Sequence, residues 1–240
     1  AKKHGVTISN TPGVLSRSVA EHTIALMLAI AKRIPEADQF TRAGKYKSWA
    51  PLMMLTTELY GKTLGIIGSG RIGSITAAFA HHGLDMNILY HDVIRNKKIE
   101  KDLKAKRLGL MALLKRSDVV TIHVPLLPST KYLINTRELA AMKKTAFLIN
   151  TARGPVVREK ALLRALYKKQ IAGAALDVFE CEPLIDCDIK DHVQLRSLEN
   201  VILTPHIASA TQKARDEMAK IAANNIVAVL GGRKPLNPVS

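Results

Sequence analysis

The 240-residue sequence predicts an α/β fold with helices on both faces of a doubly wound parallel sheet. After residue 60, short apolar runs alternate with helix-like segments, as they do when a helix connects each pair of parallel strands. Runs such as Val119-Val120-Thr121-Ile122 are apolar on both faces, which a sheet covered on both sides requires. A glycine-rich turn also joins the first apolar run to the first helix-like segment.

The same alternation predicts where each element lies. The predicted strands are 63–68, 86–91, 118–124, 145–150, 171–176 and 200–204. The predicted helices are 71–82, 109–116, 135–142, 158–169 and 211–230. Before residue 60 we expect a strand over 6–9, a turn over 10–13, a helix capped by Ser16 or Ser18 that runs to about Arg33, and, after Pro35, a second helix over 36–43.

The formal charge of +16 raises the question of a nucleic-acid partner. Basic clusters lie at 95–107, 115–116, 143–144 and 158–169. They fall on the polar faces of predicted helices, without interleaved aromatic residues on which bases could stack. We therefore interpret them as solvated helix faces that attract small anions, and we expect no nucleic-acid partner.

No membrane or metal site is expected. The longest apolar stretch, 23–31, is too short to span a bilayer, and no signal peptide is visible. Cys181 and Cys187 lie in an acid-rich stretch and match no metal-ligand spacing. Two cysteines without a framework suit a reducing cytoplasm, so we expect a cytoplasmic protein.

The run Gly68-Ser69-Gly70-Arg71-Ile72-Gly73 predicts a dinucleotide site. It follows a predicted strand and opens a predicted helix, and Asp92 closes the next apolar run about 20 residues later. Gly68 permits the tight turn, Gly70 lets the backbone approach a pyrophosphate, and Gly73 lets the helix pack on the sheet. A carboxylate at Asp92 suits the ribose hydroxyls and repels a 2′-phosphate, which favours NAD over NADP.

Polar residues also follow the later predicted strands. They are Asn150-Thr151-Ala152-Arg153-Gly154 after 145–150, Asp177 to Pro183 after 171–176, and Thr204-Pro205-His206-Ile207-Ala208-Ser209 after 200–204. The carboxyl ends of parallel strands meet at one edge of the sheet, where ligands bind. An Arg, an acid and a His at this edge therefore predict a catalytic cleft beside the cofactor.

These motifs resemble the D-isomer-specific 2-hydroxyacid dehydrogenases over essentially the whole chain. The stretches that carry the resemblance are the glycine turn, the three strand-end motifs, His123-Val124-Pro125-Leu126, Asn10-Thr11-Pro12-Gly13 and Ala20-Glu21-His22-Thr23. The segment Trp49-Ala50-Pro51, which leads into Leu59-Tyr60-Gly61-Lys62, is most similar to the glyoxylate and hydroxypyruvate reductase branch.

The resemblance implies roles for single residues. His206 would be the general acid–base, Glu182 would hold its imidazole, and Arg153 would bind the substrate carboxylate. Asp177 would face the nicotinamide carboxamide. The implied cofactor-binding residues are Gly68, Gly70, Arg71, Ile72, Gly73, Asp92, His123, Pro125, Thr130, Thr151, Ala152, Asp177 and Ala208.

The resemblance also implies a domain division. We expect the remnant of a substrate domain and an interdomain helix over 1–35, an NAD-binding Rossmann domain over 36–206, and a returning C-terminal helix over 207–240. Most of the substrate lobe found in family members has no counterpart here, so we expect this chain to bind NADH but to turn over slowly. The apolar helix over 23–31 and the arm around Trp49 predict a homodimer.

Two features depart from the family pattern, and two other functions stay open. Ser69 replaces a bulky apolar residue, and His81-His82 replaces an apolar, aromatic stretch; adjacent helical residues diverge, so we expect no metal there. The leading hypothesis is an NAD-dependent dehydrogenase for a small D-2-hydroxy acid. The alternatives are an NAD(H)-binding regulatory module without turnover and a phosphite-type dehydrogenase.

Overall fold

A computed structural model describes residues 1–182 and 194–239 of the chain. Its seven-stranded sheet has the order β3-β2-β1-β4-β5-β6-β7, and every neighbouring pair is parallel. The strand order therefore reverses between β1 and β4, which opens a crevice at the carboxyl edge of the sheet. The predicted doubly wound parallel sheet is confirmed.

The strands are short and are joined by helices. The strands are β1 Thr63–Ile67, β2 Asn87–His91, β3 Lys106–Arg107, β4 Val119–Ile122, β5 Phe147–Asn150, β6 Gly173–Leu176 and β7 Val201–Leu203. The helices are α1 Ser16–Ala31, α2 Ile34–Arg42, α3 Arg71–Leu84, α4 Lys97–Leu103, α5 Leu110–Arg116, α6 Thr136–Ala141, α7 Glu159–Tyr167 and α8 Gln212–Leu230. Short 3₁₀ turns lie at Lys2–His4 and Gly154–Val156.

The sheet has a hydrophobic cluster on each face. On one face α1 and α3 pack together, and Met27 of α1 is completely buried with the β1 residues Leu64 and Ile66. On the other face α5, α6 and α7 cover residues such as Ile122 and Leu148. Strands buried on both sides explain why β4 and β5 consist almost wholly of apolar residues.

The sequence prediction missed α4 and β3, which lie within the basic run 95–107. The dense lysines hide the pattern, because α4 buries only Ile99 and Leu103. One signal was available. Asn96 caps α4, and its side chain accepts a hydrogen bond from the amide of Ile99.

Two predictions near the amino terminus were wrong. Residues 6–9 form no strand; Ser9 makes an isolated antiparallel bridge to Pro238, flanked by backbone hydrogen bonds from Asn10 to Asn237 at 3.1 Å and from Val239 to Ile8 at 3.0 Å. Neither Ser16 nor Ser18 caps α1. Leu15 occupies the cap position without a side-chain hydrogen bond, and the Ser18 hydroxyl instead lies 2.9 Å from the hydroxyl of Thr211.

The break between α1 and α2 also has a different cause from the predicted one. Arg33 adopts left-handed backbone angles with φ of 52°, and this residue turns the chain. Pro35 lies inside the first turn of α2, where a missing amide hydrogen costs no helical bond. The guanidinium of Arg33 then holds the turn by two hydrogen bonds to Glu36, of 2.7 and 2.5 Å.

Two sequence observations fall outside the described residues, namely Pro183 and Cys187. Across the helices that the structure describes, none combines the length and the apolar character needed to cross a membrane. The domain boundaries at residues 35 and 206 stay a prediction, although α1 packs closely on the sheet.

Candidate active site

The glycine turn between β1 and α3 has the geometry that the sequence predicts for a phosphate cradle. Gly68 has φ of 93°, and a Cβ atom there would lie 2.8 Å from the carbonyl carbon of His123. A Cβ atom on Gly73 would lie 2.1 Å from the carbonyl oxygen of Gly68, so only glycine lets α3 approach the turn. At Gly70 a Cβ atom would meet nothing within 4 Å, so this side of the turn is open to a ligand.

The first turn of α3 adds an electrostatic reason to bind an anion. Gly70 is the cap residue of this helix and supplies no side-chain acceptor to the amides of the first turn. These amides lie at the positive end of the helix dipole and suit a pyrophosphate. Arg71 is exposed at the helix start, and Ile72 lines the adjoining cleft. The turn therefore fits the pyrophosphate of a dinucleotide.

Asp92 lies beside the glycine turn, at the end of β2. Its Oδ2 accepts hydrogen bonds from the amide of Ser69 at 2.6 Å and from the Ser69 hydroxyl at 3.0 Å, and its Oδ1 accepts one from the amide of Ile94. Burial opposes ionisation, but these hydrogen bonds outweigh it, so the pKa of Asp92 lies below its usual value. Asp92 is therefore ionised at neutral pH, and its predicted contact with the ribose hydroxyls stays a prediction.

The segment after β4 forms the opposite wall. The amide of His123 donates to the carbonyl of Ile67 at 2.7 Å, which ties the end of β4 to the end of β1. The Thr130 hydroxyl donates to the carbonyl of Pro125 at 2.6 Å and accepts from the amide of Leu127. Thr130 thus shapes the turn that carries Pro125, and its own contact with the cofactor stays a prediction.

His123 itself is unusual because its Nε2 atom is buried and has no hydrogen-bond partner in the described residues. Burial lowers the pKa of His123 to about 3, so the imidazole is neutral at physiological pH. Part of the residue still lines the cleft. His123 therefore adds no charge to the wall of the cleft.

The residues after β5 are held by two hydrogen bonds to a side chain of the strand. The Asn150 carboxamide accepts from the amide of Ala152 at 3.0 Å and donates to the carbonyl of Arg153 at 3.1 Å. The hydroxyls of Thr151 and Thr23 lie 2.9 Å apart, which joins this loop to α1. The Arg153 side chain is exposed in the cleft, where its guanidinium can reach an anion.

Asp177 is completely buried and organises the loop after β7. Its Oδ1 accepts hydrogen bonds from the Thr204 hydroxyl at 2.6 Å and the Ile207 amide at 2.9 Å, and its Oδ2 accepts one from the Ala208 amide at 2.8 Å. Burial disfavours its charge, but these donors and His22 lower the pKa of Asp177 overall. Contact with a nicotinamide stays a prediction, because this carboxylate has no exposed surface.

His206, in the loop after β7, contacts Glu182, which follows β6. The imidazole Nδ1 of His206 is hydrogen-bonded to Oε1 of Glu182, although 24 residues separate them. Glu182 is held in turn, because its Oε2 accepts from the amide of Phe179 at 3.3 Å. His206 has φ of 55°, a left-handed conformation that the flanking Asp177 contacts at Ile207 and Ala208 keep in place. The pair thus has the geometry of a general acid–base held by a carboxylate.

These elements enclose one cleft of about 540 Å³. Half of the predicted site residues line it, namely Ile72, His123, Pro125, Thr151, Ala152, Arg153, His206 and Ala208. Glu182 lies behind His206, and Asp177 lies beneath the loop. Asp92 lies apart, on the far side of the glycine turn.

Sequence reasoning missed several residues of the cleft. Leu15 and Val19 reach it from α1, and Val124, Leu126 and Ser209 complete the wall. No sequence signal pointed to Leu15 or Val19, since more than 100 positions separate them from Thr151 and His206. No group of His, Cys, Asp or Glu residues that could hold a metal lies within the described ranges, and His81 Nδ1 instead contacts the carbonyl of Met86 at 3.1 Å.

Comparison with known proteins identifies the family. Residues 24–208 match the NAD-binding domain of the D-isomer specific 2-hydroxyacid dehydrogenases. The chain belongs to this family. It contains the NAD-binding domain of an NAD-dependent oxidoreductase, with NAD as the cofactor.

Relatives and solved structures agree with this assignment. A glyoxylate reductase of Korarchaeum cryptofilum is 47% identical over all of this chain and 71% of its own length. A protein structure from Thermus thermophilus matches with a TM-score of 0.91 and 42% identity, over all of this chain and 73% of that one. The D-lactate dehydrogenase of Lactobacillus jensenii, solved with NAD⁺, matches with a TM-score of 0.86 and 32% identity, over the same shares of the two chains.

Proposed function

We propose that the protein interconverts a small 2-keto acid, of the glyoxylate or hydroxypyruvate type, and the corresponding D-2-hydroxy acid. The observation that carries this proposal is the bond between His206 Nδ1 and Glu182 Oε1 at the cleft that Arg153 also lines. A module that only bound the cofactor would have no use for this pair. Relatives named glyoxylate reductase support the substrate class.

When bound, NADH would supply the hydride for reduction of the substrate carbonyl. As the C=O double bond becomes a single bond, Nε2 of His206 would donate a proton to the oxygen, so the products would be the 2-hydroxy acid and NAD⁺. Glu182 occupies Nδ1, so Nε2 is the ring nitrogen that would donate to the substrate. The carboxylate of Glu182 also stabilises the protonated imidazole before the transfer.

Arg153 would anchor the substrate. Its planar guanidinium can bind a carboxylate through two parallel hydrogen bonds, which fixes both position and orientation. The Asn150 carboxamide is hydrogen-bonded to the amide of Ala152 and to the carbonyl of Arg153. These bonds fix the backbone from which the Arg153 side chain extends. This anchor would place the substrate carbonyl next to His206, as a near-attack geometry requires.

We also propose that the protein acts as a homodimer in the cytoplasm. The arm at residues 46–60 exposes apolar side chains that include Trp49 at 78%, Leu52 at 77% and Leu55 at 65%. Exposed apolar surface of this kind is typical of an interface. The apolar helix over 23–31 gives no such support, because Leu26, Met27 and Ile30 are buried within the chain.

The test compares His206→Asn and Glu182→Gln with His82→Asn, an exposed histidine on α3. Each variant is made in the protein expressed from the complete reading frame. NADH oxidation is then measured with glyoxylate, hydroxypyruvate or pyruvate as the substrate. We expect His206→Asn to lower kcat at least 1,000-fold and Glu182→Gln about 100-fold, in line with general acid–base contributions. The Kd for NADH should stay unchanged in all three variants. The kcat of His82→Asn should equal that of the wild type. Full activity of His206→Asn, or activity with phosphite alone, would contradict the proposal.

A further inference from the structure

A second group of contacts, next to the proposed acid–base pair, joins the start of α7, which follows the loop that carries Arg153, to the loop that carries Glu182. The amide of Glu159 donates to Oε2 of Glu180 at 2.9 Å, and the amide of Glu180 donates to Oε1 of Glu159 at 2.5 Å. Each glutamate therefore holds the backbone of the other. Glu159 is almost fully buried, with an exposed fraction of only 5%.

Tyr132 completes this group. Its hydroxyl donates to Oε1 of Glu180 at 2.5 Å, so both carboxylate oxygens of Glu180 have donors. The ring of Tyr132 is itself held, since the Arg158 guanidinium lies 5.7 Å and the Lys131 ammonium 5.3 Å from its centre. The backbone of Tyr132 is also tied to this region, because its amide donates to the carbonyl of Pro155 at 2.8 Å.

The two loops also touch through their backbones. A Cβ atom on Gly154 would lie 1.7 Å from the carbonyl oxygen of Phe179, so only glycine permits this approach. Gly154 directly follows Arg153, and Phe179 donates its amide to Glu182. The backbone contact between Gly154 and Phe179 and the Glu159–Glu180 hydrogen bonds therefore fix the distance between two groups. These groups are Arg153, the proposed substrate anchor, and the Glu182 carboxylate, which holds His206.

We propose that Tyr132 and Glu180 are positioning residues, which act through the 177–182 loop to keep Glu182 aligned with His206. This inference rests on the proposed function, because it assigns a purpose to the geometry of that pair. Neither side chain lines the cleft. Small displacements of catalytic groups cost large factors in rate, so the support behind Glu182 contributes directly to turnover.

Tyr132→Phe tests the proposal, since it removes only the hydroxyl and keeps the ring beside Lys131 and Arg158. We expect kcat for glyoxylate reduction to fall about tenfold while the Kd for NADH stays unchanged, and the loss of one hydrogen bond should lower the thermal midpoint by only a few degrees. In a Glu182→Gln background the same change should cost less than twofold, because the group it positions is already gone. Tyr167→Phe on α7, 57% exposed, is the matched control and should have no effect.

A second readout does not depend on turnover. In ¹⁵N-labelled protein, Tyr132→Phe should shift the imidazole signals of His206, and Tyr167→Phe should leave them in place. Glu180→Gln is a second variant. The side-chain carboxamide of glutamine has one oxygen, so it cannot accept from the Tyr132 hydroxyl and the Glu159 amide as the two carboxylate oxygens do. Unchanged kcat and unchanged His206 signals in Tyr132→Phe would overturn the inference, and so would an equal loss in the Glu182→Gln background. If Glu182→Gln itself keeps full activity while the His206 signals still move in Tyr132→Phe, the proposed function fails and the positioning contact stands.

Discussion

Ser69 donates both its amide hydrogen and its hydroxyl hydrogen to the same oxygen, Oδ2 of Asp92. Ser69 is the residue at which the glycine turn departs from the family pattern, where a bulky apolar side chain is usual. The carbonyl of Ser69 also accepts hydrogen bonds from Asn96 at 2.7 Å and Ser74 at 2.9 Å. The serine therefore links the glycine turn, the predicted phosphate site, to Asp92, the predicted ribose ligand.

The position of Asp92 predicts the choice of cofactor. We expect NADH to bind at least tenfold more tightly than NADPH, a difference of about 1.4 kcal/mol, because an ionised carboxylate repels a 2′-phosphate. Two nearby cations are engaged elsewhere, Arg95 with Glu100 at 2.9 Å and Lys98 with Asp102 at 2.7 Å. Fluorescence titration of both cofactors measures the ratio, and equal affinities would mean that the basic run overrides Asp92.

Ser69→Ala should weaken NADH binding without abolishing it. The change removes the hydroxyl donor to Asp92 and leaves the amide donor, so we expect the Kd for NADH to rise about threefold, the effect of a hydrogen bond worth about 0.7 kcal/mol. Ser197→Ala is the control, since that hydroxyl contacts only the carbonyl of Gln194 among the described residues. An unchanged Kd in Ser69→Ala would show that the amide alone aligns the carboxylate.

Asp177→Asn should destabilise the fold. An amide in this place cannot accept from Thr204, Ile207 and Ala208 together, so we expect a loss of about 2–3 kcal/mol in urea unfolding at pH 7. The folded pKa of Asp177 is lowered, so its stabilising effect is present above the unfolded pKa and is lost as pH falls through the folded pKa. The difference between the two proteins should therefore shrink below about pH 4. A constant difference down to pH 3 would contradict this account.

His123 should make stability fall on mild acidification. Its pKa is about 3 in the folded chain against 6.5 for an ordinary histidine, so between these values the unfolded chain binds one more proton. This one extra proton lowers the free energy of unfolding by about 1.4 kcal/mol for each pH unit below pH 6.5. We expect His123→Phe to remove that part of the slope between pH 6.5 and 5, measured by urea unfolding. Parallel curves for the two proteins would show that His123 titrates normally.

The exposed arm predicts self-association. We expect a dimer at micromolar concentration in sedimentation velocity, and Trp49→Asp with Leu52→Asp should shift the profile to monomer by placing charges in the apolar contact. Val93→Asp and Ile94→Asp change two other exposed apolar residues, 90% and 75% exposed, and serve as a control for surface charge. A wild-type monomer at this concentration would contradict the proposed homodimer.

Much of this protein could be predicted from its sequence because the deciding features are local. Apolar strands, the glycine turn and the strand-end placement of Arg153 and His206 each depend on neighbouring residues, and they predicted the parallel sheet and its ligand edge. Propensity signals failed where they were weak. The lysine-rich helix α4 buries two residues only, and the segment predicted as a strand over 6–9 makes just an isolated bridge to the carboxyl-terminal segment within the described part of the chain.

The tertiary structure decided which residues meet. Leu15 and Val19 line the cleft because α1 packs across the sheet, and this depends on burial and not on any local pattern. Asp177 lies beneath the His206 loop, where both its oxygens hold backbone amides. Hydrogen bonds across 21 to 48 residues tie Glu180 to Glu159 and Tyr132. Sequence determines which groups are present at the sheet edge, whereas long-range packing and hydrogen bonding determine how they are aligned.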